Sequence, residues 1–291
     1  MKKMILSALA LFSVALAGAH TQQCGNCCKP NNENVVQYDF KKFKVHIYTS
    51  SEAMADVSLL IEGKDGLVLL EPQSFYKSIK DFNAYAEKLG KPIDMTVANY
   101  HAGGLAECDL DKVVMVEPMV EFMKSSAAVG MMKHFSNVFQ GAMDTRSVDV
   151  KKTIPQEGNQ KWADVNFEFT KGAATDFPAS SVNIGNKVFY THFSPNKMHP
   201  SPMQITSTEA IDATIGELKK AKRSGCEVYI GSHGTVASVK DVEFLISYLE
   251  KMKNLKTENS SAESFTKALK AAYPNLAGEE NIAEIATKLY R

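Results

Sequence analysis

Leu89-Gly90-Lys91-Pro92-Ile93-Asp94-Met95-Thr96-Val97-Ala98-Asn99-Tyr100-His101-Ala102-Gly103-Gly104 is the stretch whose reading decides the fold. Gly90 and Pro92 stop a helix, since glycine frees the backbone and proline lacks the N–H that the next turn needs. Asp94 to Ala98 then reads as a short buried strand. It ends on Asn99-Tyr100-His101, with paired glycines behind.

Toward the N-terminus, Phe75, Ile79, Phe82, Tyr85, Ala86 and Leu89 recur at helical spacing, so residues 75–89 form the helix that Gly90 stops. Before it, the apolar runs 55–62 and 67–71 flank Gly63-Lys64-Asp65-Gly66 and predict a hairpin. Residues 35–40 and 44–49 are two further strands around Lys41-Lys42.

Toward the C-terminus, residues 113–116 are a strand, and 118–128 and 131–139 are helical and rich in methionine. Strands follow at 147–150, 165–170, 180–184 and 187–191, the last two joined by a tight Gly185-Asn186 turn. A helix at 208–222, a strand at 227–230 and a helix at 239–253 complete a second half laid out like the first. The pattern predicts two sheets packed face to face with helices outside. Residues 254–261 read as a polar linker before two amphipathic helices, 262–272 and 279–290. Their apolar faces (Phe265, Leu269, Ala272; Ile282, Ile285, Leu289) either cap the domain or meet a partner.

Basic and acidic residues balance at 33 each, which leaves no electrostatic footprint for nucleic acid. The first residues read as a secretory signal. Lys2-Lys3 is a positive n-region, residues 4–16 are an apolar stretch, and Ala17-Gly18-Ala19 supplies small residues for cleavage. The apolar stretch falls short of the roughly 20 residues of a membrane span. Thr21-Gln22-Gln23 before Cys24 lacks the residues of a lipobox. The expectation is a signal peptide at 1–19 and a periplasmic or secreted protein without a membrane span in its mature chain. A flexible leader at 20–34 carries Cys24, Cys27 and Cys28. That cluster pairs internally, binds a metal or does neither, and export permits disulfides. Cys108 and Cys226 stand alone.

Three stretches together resemble the metallo-β-lactamase superfamily: the hairpin from Val57 to Glu71, the segment from Leu89 to Gly104, and Val228-Tyr229-Ile230-Gly231-Ser232-His233-Gly234. The last is similar to the family's Gly-His-Gly loop. The segment ending at Gly104 stands where the family carries Thr-His-x-His-x-Asp-His. Residues 265–278 are similar to a C-terminal helical extension found in parts of the superfamily. The resemblance implies a four-layer αββα sandwich over residues 35–253 with a helical extension at 254–291.

The family's ligand pattern is only partly kept. Its His-x-His-x-Asp-His block shrinks to Tyr100-His101-Ala102-Gly103-Gly104, and its Asp-containing turn is Glu71-Pro72-Gln73. The middle histidine is missing between Ala173 and Pro178. The residue after Thr191, where the family has a bridging aspartate, is His192. The resemblance therefore implies a reduced, mononuclear site of His101, His192 and His233, with Asp176 or His199 as a fourth ligand. Three imidazoles with an open position suit one zinc ion. The expected activity is hydrolysis of an ester, lactone, amide or phosphoester of a small molecule. The alternative is a non-catalytic relative that keeps the cleft for a ligand and has lost its metal. Ser232 beside His233 lacks the spacing of a nucleophile elbow. Met115, Met119, Met123, Met131 and Met132 read as core or a pliable cover.

Overall fold

The computed structural model describes residues 34–291 except position 53. The signal peptide expected at 1–19, and the leader with Cys24, Cys27 and Cys28, lie outside the described residues apart from Asn34. The described residues hold two β-sheets and seven α-helices. They divide into two compact units. One comprises residues up to 170 with 178–180 and 232–234, the other residues 171–177, 181–231 and 235–291.

In the first unit, β1 (Val35–Asp39), β2 (Lys44–Thr49), β3 (Val57–Glu62) and β4 (Leu67–Leu70) form an antiparallel meander. α1 (Tyr76–Lys88) then crosses over to β5 (Ile93–Ala98), which lies parallel to β4. β6 (Val113–Val116), α2 (Glu117–Met123), α3 (Ser126–Val138) and β7 (Lys152–Ile154) follow, and both strands extend the sheet in parallel. β4 and β6 are buried at every position. Parallel strands are covered on both faces, which is why these two read as unbroken apolar runs. The inner face of α1 places Phe82, Tyr85 and Ala86 against Tyr48, Leu60, Leu67 and Leu69.

β8 (Gly158–Trp162) and β9 (Val165–Lys171) form a hairpin. Its two connecting residues, Ala163 and Asp164, both adopt left-handed backbone, with φ of 49° and 61°. That is what a two-residue hairpin turn requires. β8 is Gly-Asn-Gln-Lys-Trp and lies at a sheet edge, so no buried face marked it in the sequence. The strand expected at 147–150 is absent, and the pairing to β6 is made by residues 152–154 instead. The two Met-rich helices break at Lys124-Ser125 rather than near residue 130. Ser125 takes the N-cap of α3, its hydroxyl accepting the Ala128 N–H at 3.2 Å.

The second unit holds β10 (Ser180–Ile184) and β11 (Val188–Phe193), paired antiparallel. α4 (Thr208–Ser224), β12 (Val228–His233), α5 (Val239–Glu258), α6 (Ala262–Ala272) and α7 (Asn281–Leu289) complete the chain. α5 reaches Glu258, so most of the stretch expected as a linker at 254–261 is helix. Leu255 is buried there, one turn after Met252. Phe265, Leu269, Ile282, Ile285 and Leu289 lie in one core cluster with Leu245, Leu249 and Met252 of α5. The two C-terminal helices thus spend these residues on their own unit, whereas Ala272, expected on the same face, is exposed. Among the described residues, no helix is long and apolar enough to cross a membrane.

Candidate metal centre

β4 and β5 are parallel neighbours, so their carboxyl ends lie side by side. Glu71 follows β4 directly and turns out of the strand with φ of 59°. It is fully buried. Its two carboxyl oxygens accept the N–H of Tyr100 at 2.6 Å and of His101 at 3.1 Å. Its own N–H donates to the Val97 carbonyl at 3.0 Å. Past the end of a strand the ladder no longer supplies acceptors, and buried N–H groups need them. Glu71 supplies two at the residue that carries the imidazole.

The paired glycines let the next turn close on the same place. A side chain at Gly104, where φ is 77°, would put Cβ 1.9 Å from the Gln73 carbonyl oxygen, and one at Gly103 would meet the Ser74 hydroxyl at 2.6 Å. Only glycine fits both the backbone and the space.

His233 ends β12 and makes an antiparallel bridge with Asp56. Its Nδ1 lies 2.9 Å from the Met54 carbonyl oxygen and 3.5 Å from Asp56 Oδ1. A carbonyl only accepts, so the proton sits on Nδ1 and the lone pair of the neutral ring on Nε2. Asp56 is held in turn by Gln73, whose amide donates to the Asp56 carbonyl at 3.2 Å and to Ser58 Oγ at 2.8 Å. The rings of His101 and His233 stand with centroids 4.7 Å apart.

In the second unit, His192 lies on β11 and is buried. Its Nδ1 is 2.7 Å from Asp176 Oδ2. Phe177 and Phe193 flank the ring, with centroids at 5.3 and 4.2 Å. The carboxylate again puts the proton on Nδ1. Asp176, expected as a fourth ligand, thus orients a histidine in the way outer partners of metal-bound imidazoles do. His199, the other expected fourth ligand, is fully buried and bonds through Nδ1 to the Tyr248 hydroxyl at 2.6 Å. Burial holds its pKa below the ordinary value. On α4, Glu217 is buried and accepts the Ser181 hydroxyl at 2.7 Å. Burial pushes its carboxyl up to about 7, against the lowering effect of the Ser181 bond.

Other residues settle elsewhere. His46 is buried in β2 between Tyr85 and Glu62, and His134 lies on α3. Ser232 has no exposed surface, which sets it aside as a nucleophile. Met115 and Met119 are core, whereas Met123, Met131 and Met132 are partly exposed. Sequence reading missed Asp56, and it named Glu71 only as the start of the turn that replaces the family's Asp-containing turn, without a role. Both are acids at the ends of apolar strands, a signal that marks a site only when their distant partners are known.

No family model and no curated protein matches the chain. Solved structures do match in fold. A metallo-beta-lactamase from Pontibacter korlensis aligns with a TM-score of 0.54 and 12% identity, over 74% of this chain and 99% of that one. An archaeal metallo-beta-lactamase superfamily protein from Sulfolobus tokodaii gives 0.54 and 14%, over 84% and 98%. The inverting sec-alkylsulfatase Pisa1 from Pseudomonas sp. gives 0.56 and 14%, over 87% of this chain and 49% of that one. These likenesses show the fold, and it is the one expected from the sequence.

Proposed function

We propose that this chain, with its metallo-β-lactamase fold, is an exported hydrolase-like protein that holds one zinc ion on His101, His192 and His233. The observation that carries the reading lies within the first unit, where the rings of His101 and His233 stand with centroids 4.7 Å apart. The donor chemistry fits. The Nδ1 atoms of His192 and His233 face oxygen acceptors, so Nε2 is the nitrogen that presents a lone pair.

A zinc ion held by His101, His192 and His233 would supply Lewis acidity and lower the pKa of water to near neutral pH. The chain's own residues supply the rest. Asp176 and the Met54 carbonyl fix two rings by tautomer and angle, and Glu71 fixes the main chain that carries the third. Phe177 and Phe193 keep bulk water from the His192 ring. The substrate class is an ester, lactone, amide or phosphoester of a small molecule, and export rests on the signal-like residues 1–19. Support for hydrolysis comes from the fold neighbours named as lactamase and sulfatase.

The test is turnover of generic aryl esters, lactones and phosphodiesters by protein stripped with chelator and reloaded with zinc. Zinc-dependent hydrolysis that is lost in His101→Ala and His233→Ala supports the reading. Zinc uptake with no hydrolysis of any class would leave a ligand-binding relative.

A further inference from the structure

In the second unit, residues 194–206 join β11 to α4 with neither strand nor helix. Two joints hold this loop. At the first, the Asn196 amide donates to the Thr235 carbonyl at 2.8 Å, and its oxygen accepts the Thr235 N–H at 3.1 Å. A side-chain amide does not titrate, so this joint is indifferent to pH. The second joint ties the loop to the C-terminal helix pair. The His199 N–H donates to the Ala277 carbonyl at 2.8 Å, and the Asn281 amide donates to the Pro200 carbonyl at 3.2 Å. Lys288 Nζ donates to the Pro202 carbonyl at 2.7 Å. Gly278, with φ of 83°, lets the chains meet, since a Cβ there would stand 2.8 Å from the His199 carbonyl oxygen.

This second joint is built around an imidazole. His199 is fully buried, and its Nδ1 stands 2.6 Å from the Tyr248 hydroxyl on α5. Its Nε2 is buried as well and has no hydrogen-bond partner among the described residues. A proton on the ring makes both nitrogens donors. It therefore adds a charge and an N–H without an acceptor to a closed place, which is costly. The groups around the ring do not remove that cost. Glu279 and Glu280, ahead of α7, favour the proton, and Lys270 on α6 opposes it while pairing with Glu279 at 2.8 Å. Burial outweighs all three and holds the imidazole below its ordinary value. Burial also pushes the Tyr248 hydroxyl up, so it stays protonated. On α7, Lys288 pairs with Glu284 at 2.8 Å. On the loop itself, Lys197 lies over the Phe244 ring, 5.4 Å from its centroid.

We propose that His199 is an acid-released latch: its neutral ring fastens residues 199–202 to the C-terminal helix pair, and a proton on the ring frees them while the second unit stays folded. The sign follows from burial. The joint is closed above the ordinary value of 6.5 and opens as pH falls through the lower folded value. Such an opening is local, because the other joint and the core around Phe265 and Leu269 carry no group that titrates in this range. The loop leaves β11 just after His192, so the latch couples pH to the chain that carries a proposed ligand. That use rests on the zinc reading; the latch does not.

The test is amide hydrogen exchange on the whole chelated chain, with the His199 ring titrated by NMR in the same samples. Between about pH 7 and about pH 5, and corrected for intrinsic exchange, protection of the His199 amide should fall about tenfold or more. Its midpoint should coincide with the titration of the ring. The Thr235 amide, at the joint that does not titrate, should change less than about threefold. H199Q takes up no proton and keeps an acceptor for the Tyr248 hydroxyl, so its residue 199 amide should stay protected at about pH 5. Constant protection of the His199 amide in wild type, or the same loss in a folded H199Q, would overturn the proposal. Loss at His199 and Thr235 together would mean that the unit opens as a whole and would also overturn it. If H199Q does not fold, the wild-type chain still decides: protection that follows the ring supports the latch, and protection lost at a different pH removes it.

Discussion

His192 Nδ1 stands 2.7 Å from Asp176 Oδ2, and both belong to the second unit. Asp176 lies 16 residues before His192, on the loop ahead of β10. The pair is a carboxylate holding an imidazole by the nitrogen that should not face a metal. Asp176→Asn tests that role. Asparagine still has an acceptor, but it is neutral and binds the ring N–H more weakly. Zinc affinity, measured by competition with a chromophoric chelator, should fall about 10- to 100-fold with the melting temperature nearly unchanged. Wild-type affinity in the variant would remove Asp176 from the site.

Glu217 makes a pH prediction with a definite sign. Its folded pKa of about 7 stands above the ordinary 4.5, so the folded chain holds a proton that the unfolded chain has released. Its contribution is fully present below about pH 4.5 and is lost as pH rises through about 7. Glu217→Gln cannot ionise. Its stability relative to wild type should therefore improve by on the order of 3 kcal/mol between pH 4.5 and pH 8.5, read from urea midpoints. A constant difference across that range would show that Glu217 is charged in the fold.

The C-terminal helices are expected to be integral to the second unit. Phe265 has no exposed surface and packs in the α4–α7 cluster. Phe265→Ala should cost about 3–5 kcal/mol in urea unfolding, as core phenylalanines do. A loss below about 1 kcal/mol would mean that α6 is an appendage.

The sequence shows some of this directly and hides the rest for physical reasons. The apolar runs of β3, β4 and β6 are legible because parallel or central strands are covered on both faces. His101 just beyond β5 is legible as a strand end, whereas β11 and β12 run on past the expected ends at Thr191 and Ile230 to include His192 and His233. Glu71 is not legible, because its role depends on bonds to residues 29 and 30 positions later. β8 is hidden because a polar edge strand has no buried face to announce it. The end of α5 is hidden because a polar tail reads as linker until Leu255 finds the core.

His101, His192 and His233 are proposed to hold one zinc. Zinc per chain, measured by elemental analysis after chelation, reloading and removal of excess metal, tests it most directly. One zinc is expected per wild-type chain, and well under half of that in each of His101→Ala, His192→Ala and His233→Ala. No bound zinc in wild type, or one zinc retained in any of the three variants, would contradict it.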